Sequence, residues 1–151
     1  MNKIRFRAVL DTNVVLPSQQ TTSEDSPNKE IINRWQLGQF DVLWTGDVLS
    51  EYINKLKEKN VNEELIIQFI SQFIAYGEEV KVQFYHYEVY PEDAKDICFV
   101  LCALNGNGTH VITYDSHLLD LKADYLSKLG IKIATPIEFL QELRINLAKD
   151  K

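Results

Sequence analysis

The chain has 151 residues, 45% of them hydrophobic and 25% charged, and a formal net charge of −6. That length suffices for one core, so a single domain over residues 1–151 is expected, and the composition is that of an ordinary globular protein. The acidic balance excludes a protein that holds nucleic acid by bulk charge, and no apolar run nears the roughly 20 residues a membrane-spanning helix requires.

The first ten residues, MNKIRFRAVL, carry basic residues inside an apolar stretch and lack a small-residue cleavage site. They do not read as a signal peptide, and a cytoplasmic protein without membrane contact is expected. Residues 4–10 read as a strand that turns fully apolar at its end. Residues 17–28, PSQQTTSEDSPN, are polar with a proline near each end and read as a mobile loop. Residues 29–38 have helical periodicity and a glycine stop. Residues 40–44 read as a strand, and residues 47–59 as a helix with Asp47 as its N-cap.

A helix is expected over 62–77, where Ile66, Phe69, Ile70 and Phe73 keep the spacing of a packed face. Residues 79–85 alternate like a strand, 92–106 read as a helix, 109–114 as a strand and 116–121 as a short helix. A strand over 131–135 and a helix over 136–149, with proline at its first position, complete the chain. Strands interleaved with helices predict an α/β fold, a three-layer α/β/α sandwich around a mostly parallel sheet. In such sheets the ligand site lies beyond the carboxyl ends of the strands.

Four acids fall at that edge. Asp11 follows the first strand in AVLDTNVVL, and Asp115 follows THVITY. Asp96 lies in the first turn of one helix and Glu51 about one turn into another. Each has a plain structural reading: an Asx turn with Asn13, an N-cap at Asp115, a helix-dipole acid at Asp96 and an exposed helical Glu51. Their convergence on one edge argues for more, because clustered carboxylates repel unless a cation intervenes. Such a set suits a hard ion, Mg²⁺ or Mn²⁺, which takes oxygen ligands and shares its remaining sites with phosphate. His86, His110 and His117 lack zinc-type spacing, and no glycine-rich phosphate loop is present. Cys98 and Cys102 read as reduced core thiols, with a metal pair as the lesser alternative. Two basic groups, at Lys3, Arg5 and Arg7 and at Lys55, Lys57 and Lys59, read as solvated charge or as phosphate-contacting edges.

The segments VLDTNVVL, LSEYINKL, DAKDICFVLCAL and VITYDSHLLDL together resemble the PIN-domain family over residues 6–140. Within it, the chain is most similar to prokaryotic single-domain toxin components of toxin–antitoxin pairs. The resemblance implies an endoribonuclease that hydrolyses single-stranded RNA with Mg²⁺- or Mn²⁺-activated water, leaving a 5′ phosphate and a 3′ hydroxyl. It implies Asp11, Asp96 and Asp115 as metal ligands, with Glu51 as a ligand or a residue behind them. Asn13 and Thr113 would position carboxylates, Asp93 is the earlier acid of the D-x-x-D and serves as a cap, and Ala103 fills the small slot. Where the family has T-G-D, this chain has Thr113-Tyr114-Asp115, so Tyr114 is expected to crowd the site or to touch substrate. A literal T-G-D at residues 45–47 falls elsewhere and is read as coincidence. A homodimer and a cognate antitoxin are the expected partners. The alternatives are a PIN nuclease of RNA processing that lacks an antitoxin, and a catalytically weak PIN module that binds RNA or protein.

Overall fold

The computed structural model describes residues 3–20, 25–83, 91 and 94–149. Its frame is a five-stranded sheet in the order β3-β2-β1-β4-β5. The strands are β1 (Arg7–Leu10), β2 (Asp41–Trp44), β3 (Glu78–Glu79), β4 (His110–Ile112) and β5 (Lys132–Ala134). Every neighbouring pair is parallel. β1 sits at the centre, and its Ala8, Val9 and Leu10 register with His110, Val111 and Ile112 of β4. These residues are fully or almost fully buried, as a parallel strand covered on both faces requires.

Helices flank the sheet: α1 (Thr12–Gln20), α2 (Pro27–Gln36), α3 (Gly46–Glu58), α4 (Glu63–Tyr76), α5 (Ile97–Asn105), α6 (Ser116–Leu119), α7 (Lys122–Leu129) and α8 (Pro136–Ala148). A 3₁₀ turn, Ala94–Asp96, leads into α5. α5 packs on β1, β2 and β4, and α8 packs on β4 and β5. Aromatic side chains fill the core between α3, α4 and α5, where Tyr52 meets Phe73 and Phe99, and Phe73 meets Phe69.

The expected α/β fold stands, and several elements differ in detail. The loop expected over 17–28 is partly helical: α1 runs directly from Asp11 through Pro17 to Gln20, and α2 starts at Pro27. Proline disfavours a helix interior, but Val14, Val15 and Ser18 are buried here, and that packing overrides the local turn composition. The α3 N-cap is Thr45 rather than Asp47. Thr45 is extended and its Oγ1 accepts from the Val48 N–H at 3.1 Å, while Asp47 is an exposed first-turn acid. β3 is Glu78–Glu79, so of the strand expected over 79–85 Glu79 pairs with the sheet, residues 80–83 are not in a strand, and residues 84 and 85 lie outside the described residues. So short and exposed an edge strand leaves little template for another chain. α7 is an addition to the expected elements. Its signal is the recurrence of Leu121, Tyr125 and Leu129 on one face against the core. Gly130 closes it in the left-handed region at φ 68°, a conformation that side-chain-bearing residues rarely adopt.

Candidate metal centre

The parallel sheet places the ends of β1 and β4 side by side, and the site is built from the residues just beyond each strand. The Asp11 N–H donates to the Ile112 carbonyl at 2.9 Å, which extends the β1–β4 ladder to the acid itself. Asp11 is 5% exposed. Its Oδ1 accepts from the Thr12 N–H at 2.6 Å, and its Oδ2 accepts from the Thr113 hydroxyl at 2.7 Å. Beneath it, the Tyr52 phenol donates to the Leu10 carbonyl at 2.5 Å. That contact explains an aromatic directly after Glu51: it ties α3 to the end of β1.

Asp115 caps α6, its Oδ1 accepting from the His117 N–H at 2.9 Å. Its own N–H donates to Thr113 Oγ1 at 2.9 Å. Asp96 is 7% exposed and stands at the head of α5, yet its side chain makes no capping hydrogen bond. The plain readings therefore divide. Asp11 and Asp115 serve their local turns as well as the cluster, whereas Asp96 is not used to cap its helix. Ligand oxygens of Asp11, Asp96 and Asp115 all lie within 4.8 Å of one another. Glu51 stands outside that set, half-buried, and lines the same cleft of about 270 Å³. Thr12, Asn13, Leu16, Lys55, Lys95 and Phe99 line the rest of it.

The electrostatics follow from burial. Desolvation pushes the Asp11 carboxyl above the ordinary carboxylate range; the hydrogen bonds from Thr113, Thr12 and Asn13 oppose this, and the Asp115 charge adds to it. Burial and then the charges of Glu51, Asp47, Asp11 and Asp96 push the Cys98 thiol up to about 12, so it stays neutral beside the acids. Burial also raises the Cys102 thiol, and both cysteines are free. A set of close, all-oxygen anionic donors in a partly dry cleft fits a hard divalent cation, whose charge would offset the repulsion among them.

The Asn13 side chain holds backbone rather than a carboxylate, its Oδ1 accepting from the Tyr114 N–H at 3.2 Å, while its own backbone N–H supports the Asp11 carboxylate. Tyr114 does not line the carboxylate cleft. It is 44% exposed, and its phenol donates to Asn28 Oδ1 of α2 at 2.9 Å, so the residue in the glycine slot leans away from the acids. Ala103 is fully buried, and a Cβ on Gly108 would come within 3.0 Å of its Cα, so the small slot is a point of close backbone approach. Asp93 lies outside the described residues. Sequence reasoning missed Lys95 as a lining residue and placed Lys55 only in a basic group. The spacing of Glu51 and Lys55, one helical turn apart, was the available signal for the latter.

A parallel sheet flanked by helices, with a carboxylate cluster at its carboxyl edge, defines an α/β protein with a candidate site for a hard divalent ion. The PIN domain family profile matches residues 7–117, and the chain belongs to that family. PIN domains are in general metal-dependent nucleases, and the triad Asp11, Asp96 and Asp115 could hold a divalent ion. No curated protein matches the chain. Among the described residues, no helix is long and apolar enough to cross a membrane.

Proposed function

We propose that the protein is an endoribonuclease that hydrolyses single-stranded RNA with Mg²⁺ or Mn²⁺. The observation that carries this reading is the convergence, within 4.8 Å, of ligand oxygens of Asp11 and Asp115 beyond β1 and β4 and of Asp96 at the head of α5. These three would hold the ion, with Glu51 completing the acidic lining of the cleft. A bound divalent ion supplies Lewis acidity and neutralises the charge that builds on a phosphodiester under attack. The chain's own residues fix the geometry. Thr113 clamps Asp11 and the Asp115 backbone together, Tyr52 anchors the strand end beneath Asp11, and Asn13 holds the backbone of residue 114. In the reaction, the water oxygen bonds to phosphorus and the P–O3′ bond breaks. The 3′ oxygen leaves as a hydroxyl, and the new 5′ end keeps the phosphate.

The test is cleavage of a mixed single-stranded RNA with Mn²⁺, with Mg²⁺ and with EDTA. Cleavage that needs metal, leaves 5′ phosphates and disappears in Asp11→Asn and Asp96→Asn is the expected result. Cleavage that persists in both variants overturns the assignment of the site. The further reading, a toxin restrained by a cognate antitoxin, is supported by the sequence resemblance. Growth arrest on expression, relieved by the product of a neighbouring short reading frame, is its expected outcome.

A further inference from the structure

The cleft continues beyond the carboxylates. A second hollow of about 450 Å³ adjoins it and is lined by Glu51, Asn54, Lys55, Lys57, Glu58 and Lys95. The two share Glu51, Lys55 and Lys95. Glu51, Asn54, Lys55 and Glu58 recur at the i, i+3, i+4, i+7 spacing that puts residues on one face of α3. Lys95 lies in the 3₁₀ turn directly before Asp96. α3 starts at the rim beyond β2 and contacts α5, so the hollow leads from the acids along the flank of these helices.

A nucleic-acid strand entering an acidic cleft is repelled at every phosphate except the one the ion neutralises. Its neighbouring phosphates need cations, and this hollow supplies them. Lys55 pairs with Glu58 at 3.2 Å, with the side chains 36% and 59% exposed. Exposed pairs of this kind contribute little, so exchanging the carboxylate for a phosphate costs little. The basic pair at the other end of the sheet is differently placed: Arg5 and Arg7 are held by Asp41, and Arg7 also by Glu78.

We propose that Lys55 and Lys95 form a phosphate track that holds the backbone of single-stranded RNA beside the phosphate to be cleaved, directing the strand along α3. The proposal rests on the nuclease reading for its substrate. It is tested by binding of a fluorescein-labelled oligouridylate of about 12 nucleotides, within the usual range of single-strand sites, in Ca²⁺ across a salt series. The Lys55→Gln, Lys95→Gln double variant is expected to bind about tenfold more weakly, with a log–log salt slope shallower by about 1.4 for two lost phosphate contacts. Lys55→Arg with Lys95→Arg should restore both. Lys128→Gln with Lys132→Gln removes the same charge away from the cleft and should leave both unchanged. Wild-type affinity and slope in the double glutamine variant overturn the proposal. An equal loss in the Lys128 and Lys132 control also overturns it, since bulk charge then accounts for the effect. So does a wild type that binds no RNA at low salt. Lysine-dependent binding by a wild type that cleaves nothing in Mn²⁺ overturns the nuclease reading and leaves the track standing.

Discussion

Thr113 is fully buried between two acids, donating to Asp11 and accepting from the backbone of Asp115. Replacing it with valine keeps the shape and removes both contacts. The expected outcome is a 10- to 100-fold loss of metal affinity or RNA cleavage, a typical cost of removing a partner of a ligand, with recovery in Thr113→Ser. Calorimetric titration with Mn²⁺ separates the loss of binding from a loss of turnover. At this scale much of the site was legible. Asp11 and Asp115 stand directly after apolar runs, and a carboxylate there needs a reason. The lysines that line the cleft, Lys55 and Lys95, were less legible, because adjacency to Asp96 in sequence does not show which cavity Lys95 faces. Nor did the glycine slot reveal its geometry. Tyr114 departs from the family pattern, yet its ring leaves the acids by bonding Asn28, which lies far away in the chain.

Elements with both a periodic face and a clear cap are the ones the sequence announces. α8 is the clearest case: Thr135 Oγ1 accepts from the Glu138 N–H, the Glu138 side chain accepts from the Thr135 N–H, and proline follows the cap. A hydrogen bond from Lys122, then one from the Thr135 backbone, holds the Glu138 carboxyl down at about 2, so the box survives moderate acid. Thr135→Ala is expected to lower stability by about 1 kcal/mol in urea denaturation, with RNA cleavage retained. Elements whose existence depends on distant packing escape a sequence reading. α1 contains a proline and polar residues that signal a turn, but buried Val14 and Val15 hold it helical. α7 shows only Tyr125 fully buried, too faint a stripe to stand out among charged neighbours.

For the whole molecule, ionisation and stability are linked at both ends of the sheet. Burial raises the Asp11 pKa, so without metal its contribution is greatest in acid and is lost as pH rises through the folded-state value. A divalent ion held by Asp11, Asp96 and Asp115 would reverse that cost. Mn²⁺ at about 100 times its dissociation constant should add about 2.7 kcal/mol, a rise of roughly 5–10 °C in Tm. Asp11→Asn should gain little, and an equal shift in both proteins by scanning calorimetry would refute the electrostatic account. At the opposite end, His110 is 2% exposed, packed by the rings of Phe6 and Phe139 and facing Glu142 and Lys132. Burial depresses its pKa despite Glu142, so its contribution is present above about 6.5 and is lost as pH falls through the folded-state value. Burial alone would raise the Glu142 carboxyl, but its bonds from His110 and Lys132 keep it below the ordinary 4.5, so its own window lies at lower pH. His110→Gln is therefore expected to flatten the fall in stability as pH drops below about 6.5, as read by urea midpoints.

The pairing of β1 with β4 also sets a time. Asp11 leaves the ribosome well before β4, and its strand has no partner on that side until His110, Val111 and Ile112 have emerged. At about 5–20 residues per second, a nascent chain spends several seconds with Asp11 exposed and its centre unassembled. Under the nuclease reading, a chain cut short before β4 lacks Asp115 and the strand that holds Asp11 in register. On that reading, translation would have to pass β4 before any transcript could meet an assembled site.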